Sequence, residues 1–177
     1  MREYEHLLSI SVASSMNMTR KVKETRDPNE PVGLLPGTLN HLLEAEQILR
    51  QKPILHQKIQ EKGLIGKKRV TTALGEVIRF LYLIAYSKKK LTPGKTIDLV
   101  WHEFVLCTQT YAHFCEKSFG RFIHHDPGGS DDENQQQFRL TLKLYHLYYG
   151  PPSPEFWGEV PRDKAESHCG ACQSISS

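Results

Sequence analysis

The chain has 177 residues, 38% hydrophobic and 24% charged, with a formal net charge of +3. That length suits one domain with a core of its own, and a positive charge so small and dispersed gives no reason to expect nucleic acid as a partner. Residues 1–6 are polar, so no secretory leader is expected. The longest apolar run, 80–86, falls far short of the roughly 20 residues that cross a bilayer. Four cysteines are too few and too clustered for a disulfide framework, so a reducing cytoplasm is the expected setting.

In chain order, residues 1–37 carry scattered charge and several prolines. They are expected to form a flexible segment with at most one short helix near 5–12. From Leu39 the pattern turns helical, with Leu39, Leu42, Leu43, Glu46 and Leu49 on one stripe that Pro53 closes. Pro53 suits the first position of a second helix running to Gly63. The strongest helix spans 70–87. Val70, Ala73, Leu74, Val77, Ile78, Leu81 and Ala85 line one face, and Phe80, Tyr82, Leu83 and Ile84 fill the rest, the mark of a central, covered helix. Lys88–Lys90 sit where the helix dipole favours cations, and Pro93-Gly94 turns the chain.

The next helix is expected over 97–118, capped by Thr96 and stopped by Gly120. An extended piece leads to Asp126-Pro127. Ser130 and Glu133 have capping-box spacing and predict a further helix, with Phe138, Leu142, Tyr145 and Tyr149 on one face, ending at Gly150-Pro-Pro152. A polar tail, 158–177, follows. No segment alternates with period two, so the fold class is all-α: a compact multi-helix domain over 38–157 between a flexible N-terminal segment and a tail.

The helix 97–118 holds the densest chemistry. At 100° per residue, Val100, Trp101, Phe104, Val105, Cys107, Tyr111, Ala112, Phe114, Cys115 and Phe119 form a core arc, while Asp98, His102, Gln109, His113 and Glu116 gather opposite. Asp98 and His102 are four apart and therefore neighbours. A carboxylate beside an imidazole can orient the ring for metal ligation or proton transfer; it can equally be a polar helix face with Asp98 favoured by the dipole. Just past the helix, His124 and His125 must point opposite ways in an extended segment, so only one can face His102. Asp98, His102, His124 and His125 could supply three ligands and leave a position open, as catalytic zinc sites do, which makes a divalent metal such as zinc the cofactor to consider.

The run Asp98-x-x-Trp101-His102, Tyr111, Cys115 and Phe119-Gly-Arg-Phe-x-His124-His125-x-Pro127 resembles the signature of the glycine-rich domain-containing protein-like family. The resemblance covers about 38–150. It implies a helical domain and brings no established activity. The family pattern has a second histidine two residues after the first, where this chain has Phe104. Residues two apart on a helix diverge by about 200°, so that histidine could hardly share an ion with His102.

Cys169-x-x-Cys172 beside His168 is half of a zinc site, and is more simply read as two reduced thiols in a polar tail. Lys67-Lys-Arg69 at a helix start, where the dipole disfavours cations, hints at an acidic protein partner. No phosphate-cradling glycine loop and no nucleophile–base pattern is present. Two readings from different classes follow. One is a small helical binding or interaction domain without catalysis, in which Trp101, Tyr111, Phe119 and the histidines hold a helix and its exit loop. The other is a metal-binding protein or metal-dependent enzyme centred on Asp98, His102 and His124 or His125.

Overall fold

The computed structural model describes residues 36–158 except 64 and 127. The short helix expected near 5–12, the flexible first segment and nearly all of the polar tail, with Cys169 and Cys172, lie outside the described residues. Those described are all-α, with no strand among them. The helices are α1 (His41–Gln51), α2 (Pro53–Glu61), α3 (Val70–Ser87), α4 (Lys95–Leu106), α5 (Thr108–Phe119), α6 (Asp131–Tyr149) and the single turn α7 (Pro154–Trp157).

Helix α3 has the predicted bounds and is the axis of the core. All seven predicted face residues are buried, and so are Phe80 and Leu83. Helices α1, α4 and α6 pack against it. Within the 21-residue stretch Lys67–Ser87 an 18-residue window reaches a mean hydropathy of 1.2, enough by length and composition to cross a bilayer, a property the short run 80–86 did not reveal. Of its most apolar window, 61% is buried inside the protein, as a central helix requires.

The predicted stripe of α1 is rotated from the one observed. His41, Ala45, Ile48 and Leu49 are buried, whereas Leu42 and Leu43 are exposed. The reason is the partner surface. A Cβ on Gly75 of α3 would only just touch the backbone of His41 and Leu42, so the two helices approach most closely where the α1 face carries His41 and Ala45. Proline at the start of α2 and the reciprocal Ser130–Glu133 capping box at the start of α6 are as predicted. Phe138, Leu142 and Tyr145 are buried on α6, and Tyr149 is half-buried.

The helix expected over 97–118 is two helices. The chain breaks at Cys107, whose ψ of 58° leaves the helical region, and α4 begins after Gly94 rather than Thr96. Ten residues of unbroken helix would hold Trp101 and Tyr111 about 15 Å apart. The break folds α5 back, so that Trp101 Nε1 donates to Tyr111 Oη at 3.0 Å and the rings of Phe104 and Tyr111 meet edge to face at 5.0 Å. Thr108 and Thr110, weak helix formers, stand at the restart and make the interruption cheap. Val105 and Cys107 are consequently only half-buried, and Ala112 is exposed.

Phe156 and Trp157 of α7 belong to the core as well. A Cβ at Gly94 would lie 2.9 Å from the backbone oxygen of Trp157, so only glycine lets this turn seat against the start of α4. Below it lies a buried polar hub. Glu76 Oε2 accepts from Tyr145 Oη at 2.5 Å and from Trp157 Nε1 at 2.8 Å, and Glu76 Oε1 pairs with Arg79 Nη1 at 2.8 Å. One carboxylate thus ties α3 to α6 and α7.

Candidate functional site

The site is built where α4 meets the segment that leaves α5. Gly120 ends α5 in the left-handed region, φ 64°, which glycine adopts without the steric penalty of a Cβ, and the chain reverses there. Residues 122–126 then run back past α4. Tyr111 Oη donates to the Ile123 carbonyl at 2.7 Å while accepting from Trp101, so one buried phenol fastens the returning segment to both helices. Burial pushes the Tyr111 hydroxyl well above its ordinary pKa, which keeps it a neutral donor. Cys115, beside it in the core, is raised for the same reason and is held as a thiol.

That fastening delivers His125 to α4. Its ring lies against Trp101, centroids 4.2 Å apart, and its Nε2 is 3.0 Å from Asp98 Oδ1 and 3.3 Å from His102 Nδ1. One potential ligand atom from each of Asp98, His102 and His125 lies within 4.8 Å of the other two. The spacing of four thus pairs Asp98 with His102 as the sequence suggests, and of the adjacent histidines it is His125 that joins them. His124 points the other way, exposed, with its ring against Phe122 at 4.8 Å.

Two details differ from the polar helix face that the periodicity describes. Asp98 is only 3% exposed, because the returning segment covers it. His113 is exposed on α5, beyond the break, and is no neighbour of the cluster. The cluster is therefore graded from a buried carboxylate, through a histidine whose side chain is 7% exposed, to the exposed His102.

Beside it opens a cleft of about 120 Å³. It is lined by Asp98, Trp101, His124 and His125 and by Lys89, Lys90, Thr92, Asn134 and Gln137 from the α3–α4 connection and α6. Of this second group the sequence marked Lys89 and Lys90 only as a helix exit, and Thr92, Asn134 and Gln137 not at all. Lys89, Lys90 and Thr92 follow the end of α3 and Asn134 and Gln137 stand in the first turns of α6, a meeting that no periodicity marks. Glu103 was also missed. It is buried and pairs with Lys62 at 2.8 Å, and its place between Val100 and Phe104 was the available signal. The Lys67-Lys-Arg69 group finds part of its acidic partner within the chain: Arg69 pairs with Glu155 and lies over the Phe156 ring.

No curated protein and no solved structure gives a match. The UCP032817-like family matches residues 45–147, from within α1 to near the end of α6, and so takes in every side chain of the Asp98–His102–His125 cluster. On that match over more than half of its length, the chain belongs to the UCP032817-like family.

Proposed function

We propose that this is a divalent-metal-binding helical protein whose ion is held by Asp98, His102 and His125. The carrying observation is the position of a single atom, His125 Nε2, between a carboxylate oxygen and a second imidazole nitrogen. If Nε2 bears a proton, that proton serves Asp98 and only partly serves His102. If Nε2 bears a lone pair, the pair faces a buried carboxylate. A cation among the three uses every lone pair at once.

The spacing agrees with this. Ligand atoms about 2.0–2.1 Å from a tetrahedral zinc lie about 3.3 Å from one another. Two sides of the cluster, 3.3 and 3.0 Å, are close to that edge. The third side, between Asp98 and His102, is no longer than 4.8 Å. Two imidazoles and one carboxylate suit zinc, iron(II) or manganese(II). Three protein ligands leave a coordination position open, the arrangement a metal-dependent enzyme would use, and two of the three, Asp98 and His125, line the cleft. The Trp101-His102 and 119–127 pattern supports reading the domain as glycine-rich domain-containing protein-like, and a cytoplasmic setting suits its reduced Cys107 and Cys115.

The test is calorimetric titration of the chelator-stripped full chain with zinc. Wild type and His113→Ala should bind alike, because His113 is remote from the cluster, and His102→Ala should lose binding. Equal binding by His102→Ala would overturn the assignment.

One observation favours a second reading. The stack of His125 on Trp101 and its bond to Asp98 can order the exit segment without an ion. The protein would then be a non-catalytic helical binding domain. In that case no variant binds zinc, and His125→Ala costs only the about 1–3 kcal/mol of a lost buried hydrogen bond.

A further inference from the structure

We infer that the cleft beside the cluster is a subsite for a small oxyanion, a carboxylate or phosphate group that reaches the open position of the ion; this rests on the metal reading above. Three features of the cleft point to a negatively charged occupant.

The first is charge. Lys89 and Lys90 line the cleft together with Asp98 and Asp126. Neither lysine forms a salt bridge among the described residues. Lys90 is near enough to Glu133 to help lower that carboxyl's pKa, after the larger effect of the Ser130 backbone and hydroxyl, so Lys89 is the less committed of the two. Two lysines and a divalent ion against two carboxylates leave the cleft net positive. A net positive charge in such a cleft attracts anions.

The second is the supply of hydrogen-bond donors. Thr92, buried, donates its hydroxyl to Gln137 Oε1 at 2.9 Å, which fixes the Gln137 amide by its oxygen. The Gln137 Nε2 protons then have no hydrogen-bond partner among the described residues. Thr141, also buried, donates to the Thr92 carbonyl at 2.9 Å and holds the Thr92 backbone in place. The third is size. A cleft of about 120 Å³ has room for the head group of a small acid.

An oxyanion is the ligand these features share. One of its oxygens would complete the coordination of the ion, and the others would meet the Lys89 ammonium and the Gln137 amide. Ammonium groups and amide N–H groups are the ordinary recognition elements for phosphate and carboxylate. Neutral sugars would leave the lysines uncompensated, and cations would be repelled.

The experiment titrates inorganic phosphate, and separately acetate, into the full chain loaded with zinc, into the chelator-stripped chain and into zinc-loaded Lys89→Ala/Lys90→Ala, with bound zinc measured in each. The expected result is that phosphate or acetate binds the loaded chain at least tenfold more tightly than the stripped chain. The double variant should keep its zinc and lose at least tenfold in anion affinity. If the loaded wild type holds zinc but neither anion binds, or the double variant binds as well as wild type, the subsite is overturned and the metal reading stands. If the wild type takes up no zinc, both fall together, and the zinc measurement identifies that outcome.

Discussion

Glu76→Ala should be among the most destabilising single substitutions in the described chain, costing about 3–5 kcal/mol, because it leaves a partly buried cation unpaired. The carboxylate is 5% exposed and holds three groups from three helices: Arg79 on α3, Tyr145 on α6 and Trp157 on α7. Removing it leaves the Trp157 indole N–H buried without an acceptor and the Arg79 guanidinium without its counter-ion. Tyr145, whose hydroxyl is pushed above its ordinary pKa mainly by burial, cannot compensate by ionising at neutral pH. Glu76→Gln keeps one acceptor and the side-chain volume, and should cost less, about 1–3 kcal/mol. Denaturant unfolding of the three proteins measures both values. A loss below about 1 kcal/mol for the alanine variant would mean that the hub contributes little beyond what water supplies.

Trp101→Ala should cost a similar amount, about 3–5 kcal/mol, through lost transfer energy and the cavity left behind. The ring is 5% exposed and packs edge to face on Phe80 at 5.4 Å. It also donates to Tyr111, whose phenol in turn fastens Ile123. Its further effect is on the cluster, since Trp101 is the surface on which the His125 ring rests. Zinc affinity should therefore fall in this variant, although Trp101 is no ligand. Trp101→Phe should recover most of the stability and part of the affinity. A loss below about 1 kcal/mol for Trp101→Ala would place the ring outside the cohesive core.

How much of this was legible in the sequence depends on how local the cause is. Helix α3 announces itself because its apolar residues, its cationic exit and its length all act within one segment. The Ser130–Glu133 box is legible for the same reason. The break at Cys107 is not, because its cause is the meeting of Trp101 and Tyr111 across the interruption, and a pattern that continues through both helices conceals it. The rotated face of α1 is set by Gly75, thirty or so positions away in the chain, and the core role of Phe156 and Trp157 by Glu76, farther still.

The cluster itself divides along the same line. Spacing on one helix is local, so the pairing of Asp98 with His102 could be read directly. Alternation in an extended segment shows that one of His124 and His125 must turn away, but the choice is made by Tyr111 fastening Ile123 and by the Trp101 face, both tertiary. The burial of Asp98 was hidden too, because the covering segment arrives from beyond Gly120. The cleft residues Lys89, Thr92 and Gln137 come together only once α3, α4 and α6 are packed.

Elemental analysis of the full chain purified without a metal-affinity tag decides whether Asp98, His102 and His125 hold a metal ion. The analysis is run beside Asp98→Ala and His125→Ala prepared in the same way. The wild type should carry about one equivalent of a divalent first-row metal per chain, as three converging N and O ligands would retain, and either variant almost none. A wild type that carries no metal, even after incubation with zinc and dialysis, would contradict the assignment of this site, as would variants that retain as much metal as the wild type.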